Sequence, residues 1–385
     1  ISLGVTQNTA FLDYYIDLYS KSSSKIEPKV RDIMRAGAYQ LLFMDKIPSS
    51  AAVNESVVLC KKLGYARASG FCNAVLRKLA VGRAELPDIP GGGTAEYLSI
   101  KYSHPSWLAQ YMISRRGYDA AEAFLAADNT IPYTCLQVNT LKTSIQRLLE
   151  HLKASGTDCM EHPWLPDCIV TSGNVSAMYG FDEGLFYVQD PAAKCAVLAA
   201  GLSPGMDVLD ACAAPGGKSF AAAIAMKNEG HIDSCDLHEK KIRLIKDGAQ
   251  RLGIDIINAF SRDARAAVDR QYDAIIADVP CSGYGVIRKK PEIRYKPQSG
   301  SAAMPPIQAA ILENLSQYIK PGGLVIYSTC TVLEEENECV VNEFLSSHPK
   351  FSAERFTLPN GETAANFVYC YKIAQNRAVL LEMMG

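Results

Sequence analysis

The sequence has 385 residues, 48% of them apolar and 21% charged, which describes an ordinary globular protein of two or three domains with enough apolar material for real cores. No run of about 18 apolar residues occurs, so no membrane span is expected, and no signal peptide is visible. Twelve cysteines without one CxxC pair lack the usual zinc spacing and predict free thiols in a reducing cytoplasm, with no metal.

The net charge of −2 discriminates nothing, but its distribution does. Residues 21–84 carry twelve Lys/Arg against four acids, an excess of +8 in a slightly acidic chain. Such asymmetry points to an anionic partner, or to a solvated helical surface. Residues 5–84 read as helices. "KVRDIMRAGAYQLLF" places Val30, Ile33, Met34, Ala38, Leu41 and Leu42 at helical spacing. Pro48 breaks that pattern. "SSAAVNESVVLCKKLG" then starts with Ser49 or Ser50 as N-cap and closes at Gly64, and "ASGFCNAVLRKLA" is a third helix. Residues 1–84 thus form an all-α domain. The Pro- and Gly-rich stretch 85–96 is the expected linker.

Residues 97–185 read as a small α+β unit. "HPSWLAQYMISRRG", "DAAEAFLAADN" and "SIQRLLEHLKASG" are helical, while "YTCLQVNT" and "CIVTSG" are strand-like. Over residues 186–385 apolar strands alternate with amphipathic helices. The strands are "MDVLDA", "GHIDSCD", "DIINAF", "YDAIIAD" and "GGLVIYSTC", which predicts a doubly wound, Rossmann-like α/β sheet. The tail "FVYCYKIAQNRAVLLEM" suits a closing antiparallel hairpin.

In open α/β sheets ligands bind beyond the carboxyl ends of the strands. The first strand ends in "DACAAPGGKS", where small residues let a ligand approach the backbone and a helix N-terminus offers free N–H groups. A phosphate loop needs Gly at position 212, and Cys212 stands there, so the G-x-x-x-x-G-K-[ST] pattern fails by one residue. The other strands end at Asp236, near Asp263, at Asp278 followed by Cys281, and at Cys330. Any one of these acids alone is a turn or cap residue, and either cysteine alone is a small buried hydrophobe. Four acids, Asp210 included, and two thiols on one rim form a set that an ATPase does not use. An enzyme that attacks carbon with sulfur does.

"DACAAPGGKS", "DVPCSGYGVIRKKPEIRY" and "STCT" resemble, in order, the binding turn and the two cysteine motifs of the RNA 5-methylcytosine methyltransferases that use S-adenosylmethionine. "VQDPAA" is similar to the segment before their first strand. "PKVRDIMRAGAYQLLFMDKIPSSAAVNESV…ASGFCNAVLRKL" resembles the NusB-like domain of the bacterial branch that methylates small-subunit ribosomal RNA, the methyltransferase B or Sun/Fmu family. The resemblance implies that Cys212, Ala213, Ala214, Pro215, Gly216, Gly217 and Lys218 cradle the methionine and ribose part of S-adenosylmethionine. It implies Asp236 at the ribose, Asp263 near the adenine, and Asp278 at both cofactor and target base. Cys330 is then the nucleophile and Cys281 assists product release. The sequence departs from the family at Ala365-Asn366-Phe367, where Asp-Gly-Phe is usual, and at Thr331, where Ser is usual. It begins at Ile1 without a Met, and its helical domain is expected to lack the family's first helices.

The chemistry suits those residue types. A thiolate adding to carbon 6 of cytosine makes carbon 5 nucleophilic. A proton or hydrogen bond at ring nitrogen 3 drives the addition, and Asp278 is placed for it if it is protonated or shares a proton. Arg288, Lys289, Lys290, Arg294 and Lys296 follow the Cys281 turn directly and read as a phosphate clamp for an extruded base, or as a solvated loop. Tyr284 and Tyr295 either stack on bases or pack. A monomer acting on ribosomal RNA is expected. The alternatives are a P-loop-like ATPase acting on RNA, which would bind Mg-ATP, and a non-catalytic RNA-binding scaffold, which would incorporate no methyl group.

Overall fold

The computed structural model describes residues 1–20, 26–361, 363–364 and 370–375. The chain forms two compact units. One comprises residues 1–131 with 286–296, and the other residues 132–285 with 297–385.

In the first unit, helices Ser2–Gln7, Thr9–Ser20, Pro28–Phe43, Ser49–Lys62 and Ser69–Gly82 enclose Leu12, Ile16, Met34, Leu76 and Leu79, all fully buried. The apolar positions predicted from spacing in 29–43 are those that face this core, apart from Leu42 at its edge. Pro28 opens that helix, and the Glu27 carboxylate accepts from Val30 N–H as its cap. The next helix starts at Ser49 but has no side-chain cap: Pro48 occupies the N-cap position, so the expected Ser cap is not used. Helices Ala95–Tyr102, Ser106–Arg116 and Tyr118–Ala127 belong to the same unit. The first of these, which the apolar spacing does not predict, is capped by Thr94, whose Oγ1 accepts from Tyr97 N–H.

The second unit holds two sheets. The smaller one comprises β1 (Thr134–Val138), β2 (Cys159–Glu161), β3 (Cys168–Thr171) and β4 (Phe186–Val188), in the antiparallel order β2-β3-β1-β4. Helix Ile145–Ala154, capped by Ser144, buries Leu148, Leu149 and Leu152 against it. The larger sheet contains β5 (Asp207–Asp210), β6 (His231–Asp236), β7 (Ile257–Ser261), β8 (Tyr272–Asp278), β9 (Ile319–Ser328), β10 (Phe351–Glu354) and, beyond the short ladder of β11 (Phe356–Thr357) with β12 (Thr363–Ala364), β13 (Cys370–Gln375). Its order is β10-β13-β9-β8-β5-β6-β7. The central strands β9, β8, β5, β6 and β7 are parallel, and β13 and β10 extend the sheet antiparallel. Chain order reverses at β5, which pairs with β6 on one side and β8 on the other, so the carboxyl ends of these strands form the switch-point crevice. Apolar layers cover both faces, with Ile275, Leu312 and Val325 in one and Val208, Ile232 and Ile245 in the other.

The expected tail hairpin is represented by β13 alone; residues 376–385, and the divergent Ala365-Asn366-Phe367, lie outside the described residues. Among the described residues no helix is long and apolar enough to cross a membrane.

Candidate active site

The glycine turn begins where β5 delivers Asp210 to the sheet rim. Ala213 N–H donates to the Cys235 carbonyl of β6, and Gly216 N–H to the Ala213 carbonyl, closing the turn before helix Gly217–Ala225. Gly216 has φ of 113°, and a Cβ there would lie 2.4 Å from Cζ of Phe220, so only glycine fits. Asp210 is fully buried and points into the scaffold. Its Oδ2 accepts from Ser219 Oγ at 2.6 Å, and Ser219 Oγ accepts from Ser234 Oγ at 2.8 Å. Burial pushes the Asp210 carboxyl up to about 7, against the opposing Ser219 bond. Of the four rim acids, it is the one committed to holding the turn.

Lys218 leaves the turn's mouth and sets its Nζ 2.7 Å from Asp278 Oδ2, while Ser328 Oγ donates to Asp278 Oδ1 at 2.8 Å. The phosphate-loop alternative therefore loses its lysine as well as its first glycine. Cys212 lines the cleft, and burial, followed by the charge of Asp210, raises its thiol pKa, so it is a neutral wall residue.

A cleft of about 410 Å³ opens beside the turn, within the range of small-molecule sites. Cys212, Ala214, Asp236, Asp263 and Asp278 line its polar side, and Met304, Ile307 and Ile311 its apolar side. Asp236 is buried, and its Oδ1 accepts from His238 N–H at 3.0 Å. Asp263 is gripped by Arg265, which donates from Nη2 at 2.6 Å and from its backbone N–H at 2.9 Å; these bonds hold the carboxyl down to about 2. Small residues at a strand end, an acid on the next strand and an apolar wall beyond suit the methionine, ribose and adenine parts of S-adenosylmethionine. The residues present therefore fit that group.

The two cysteines expected on this rim come together. Cys281 Sγ and Cys330 Sγ are 3.1 Å apart, and Cys330 N–H donates to Cys281 Sγ at 3.3 Å. Cys330 is exposed and Cys281 partly buried. The hydrogen bond with Cys330, then burial, push the Cys281 thiol up. No disulfide joins the cysteines whose side chains are described.

The basic segment divides. Arg294 is only 2% exposed, and its guanidinium donates to the carbonyls of Gln7, Tyr102, Ser103 and Asp128 and to Asn129 Oδ1. It caps the carboxyl ends of three helices at once. Arg288 donates to the carbonyls of Thr130 and Ile131. Arg294 is thereby corrected from phosphate contact to structural pin, because its buried guanidinium spends Nη1 and Nη2 on these acceptors and is closed off from solvent. Lys289, Lys290 and Lys296 are exposed. Tyr284 is buried at 1% and packs, while Tyr295 is half exposed.

The chain matches the family described as 16S rRNA methyltransferase RsmB/F over residues 198–373, the NusB family over 1–81, and the ferredoxin-like domain of RsmF/B-like methyltransferases over 104–177. It is 36% identical to the "Probable ribosomal RNA small subunit methyltransferase B" of Bacillus subtilis, covering 91% of this chain and 80% of that one. It is 33% identical to the ribosomal RNA small subunit methyltransferase B of Pseudomonas syringae pv. tomato, covering 86% and 73%. Among solved structures, PH0851 superposes with a TM-score of 0.78 at 26% identity, covering 96% of this chain and 87% of that one. A methyltransferase homolog from Pyrococcus horikoshii shares the fold with a TM-score of 0.62 at 23% identity, covering 72% and 97%. With the glycine turn, the acid-lined cleft and the thiol pair on one sheet rim, these likenesses mean that the chain belongs to the 16S rRNA methyltransferase RsmB/F family.

Proposed function

We propose that this protein methylates carbon 5 of a cytosine in small-subunit (16S) ribosomal RNA, through a covalent bond between Cys330 and the base. The observation that carries this reading is the pair of thiols 3.1 Å apart on the rim that also presents Asp278 and the cleft. Residues 212–218 with Asp236, Asp263 and Asp278 would hold S-adenosylmethionine, which supplies an electrophilic methyl carbon bound to sulfonium sulfur.

The residues then have distinct work. Cys330, the exposed member, adds its sulfur to carbon 6, and the ring electrons move so that carbon 5 becomes nucleophilic. Asp278 hydrogen-bonds ring nitrogen 3, with the Lys218 ammonium 2.7 Å behind it as a proton source. Once carbon 5 is methylated, its proton must leave and the sulfur–carbon 6 bond must break. Cys281 suits that step because of what raises its pKa. The leading cause is the hydrogen bond with Cys330, and Cys330's charge contributes further. Once Cys330 is a thioether its charge is gone and its sulfur is only a weak acceptor. With that charge gone, the Cys281 thiol ionises more readily in the adduct than beside the Cys330 thiolate, and its own proton passes to water. The Cys281 thiolate then takes the carbon 5 proton, directly or through water, as the Cys330 sulfur departs with its electron pair.

Extruding a base requires an unstacked or single-stranded target, and exposed Lys289, Lys290 and Lys296 are the candidates for its flanking phosphates. The enzyme is proposed to act as a monomer in the cytoplasm. Labelled methyl incorporation into small-subunit ribosomal RNA tests the reading. Cys330→Ala is expected to abolish incorporation while calorimetric binding of S-adenosylmethionine persists. Cys281→Ala is expected to accumulate a protein–RNA adduct that survives denaturing electrophoresis. Normal turnover by Cys330→Ala would overturn the mechanism.

A further inference from the structure

Behind the two thiols lies a buried polar frame. Glu336 and Asn337 are adjacent in sequence and both fully buried. Glu336 serves the Cys281 turn. Its Oε2 accepts from Ser282 N–H at 2.9 Å and from Gln308 Nε2 at 2.9 Å, and the same Gln308 nitrogen donates to the Pro280 carbonyl at 2.9 Å. The residues on both sides of Cys281 are therefore held. Asn337 does the same for Cys330. Its Oδ1 accepts from Thr329 Oγ1 at 2.6 Å, and its Nδ2 donates to the carbonyls of Thr331 at 3.1 Å and Leu333 at 2.8 Å. The two halves are tied by Ser282 Oγ and Thr331 Oγ1, 2.7 Å apart, and Tyr327 OH donates to the Glu336 carbonyl at 2.7 Å.

This arrangement is expensive. Glu336 Oε1 and Gln308 Oε1 are buried without a hydrogen-bond partner, each costing on the order of 1–3 kcal/mol. A core that needed only to pack would be more stable with apolar residues there. What the frame supplies is registration: one dipeptide fixes the flanks of both cysteines, so the distance between the two sulfurs is set by a single rigid element. We infer that Glu336 and Asn337 are positioning residues that hold Cys281 and Cys330 at their working separation. This rests on the proposed use of the two thiols, but it concerns their geometry, which is measurable without RNA.

The test uses the full chain with three variants. Glu336→Ala and Asn337→Ala are expected to lower kcat by about tenfold to a hundredfold, the usual cost of misplacing a reacting group by about 1 Å. KM for S-adenosylmethionine should stay within about twofold. Glu336→Gln keeps one oxygen for the Ser282 and Gln308 donors, and is expected to recover kcat to within about threefold of the parent. In parallel, the rate of Cys330 alkylation by iodoacetamide, resolved by site in a mass spectrometer, should change in both Ala variants and return in Glu336→Gln. If Glu336→Ala fails to fold, Asn337→Ala and the Gln variant decide alone. Unchanged kcat and alkylation would overturn the inference, as would a loss of cofactor binding equal to the loss of kcat. An active Cys330→Ala enzyme with altered alkylation in the frame variants would instead sink the proposed chemistry and leave the positioning intact.

Discussion

Among single residues, Asp210 has the most direct consequence for stability. A carboxyl held near 7 by burial keeps a proton that the unfolded chain releases near its ordinary 3.8. The folded state binds more protons than the unfolded state between those values, so stability falls as pH rises from about 4 to about 7 and is level beyond. Asn is nearly isosteric, cannot ionise, and offers an amide to the side now occupied by the unpartnered Oδ1. Asp210→Asn should therefore gain on the parent in urea unfolding as pH rises from 5 to 8, by about 3 kcal/mol. A difference that does not change with pH would mean that Asp210 is ionised when folded. Its role is hidden in the sequence, where Asp210 is one of four acids at strand ends. Which of them faces ligand and which faces core depends on Ser219, at the far end of the same turn, and on Ser234 of β6, which only folding brings to it. The cysteines are easier to read, because "DVPCSGYG" and "STCT" each end a recognisable strand. Arg294 misleads for the opposite reason: a cation among cations reads as solvent-exposed, and nothing local says that three helix ends converge on it.

At the level of elements, the turn between β5 and helix Gly217–Ala225 depends on one conformation. Gly216 takes a φ of 113°, and a methyl group there would meet the Phe220 ring. Phe220 lies in the layer that also contains Ile242 and Ile245, so it has little room to retreat. Gly216→Ala should cost about 1–3 kcal/mol of stability through backbone strain and weaken S-adenosylmethionine binding at least tenfold in calorimetry. Unaltered affinity in a folded Gly216→Ala protein would argue that the turn does not touch the cofactor. Long periodic elements are legible in the sequence: the five parallel strands and the helices around 29–43, 49–62 and 69–82 fall where spacing puts them. β2 and β4 are not, since three residues carry no period. The strand pairings follow from the βα rhythm, but the link between the two sheets does not. Asn139 Nδ2 donates to the Gly184 and Leu252 carbonyls, and a Cβ on Gly184 would lie 1.9 Å from the Arg251 carbonyl oxygen. No pattern in one sequence announces such an approach of two backbones.

Across the whole molecule, the uneven charge bears on RNA binding. The +8 excess over residues 21–84 overstates the free positive surface, because two acids just upstream draw on it. Asp13 pairs with Arg31 at 3.3 Å and Arg35 at 2.6 Å, and Asp17 pairs with Arg31 at 2.8 Å. Those arginines brace one helix against another. The rest of the excess includes Lys61, Lys62 and Arg67, exposed at and just beyond the end of helix Ser49–Lys62. If they meet RNA phosphates, counterion release governs the effect, and each phosphate left unneutralised takes about 0.7–0.9 off the slope of log affinity against log salt. The triple variant Lys61→Glu, Lys62→Glu, Arg67→Glu should bind a small-subunit ribosomal RNA fragment more weakly, with a slope shallower by about 2. Its S-adenosylmethionine affinity should not change, since the cleft is built wholly from residues 211–311. Fluorescence titrations at several salt concentrations measure the slope directly. A parental slope in the variant would make this surface a solvated helical face and leave RNA recognition to the lysines that follow the Cys281 turn.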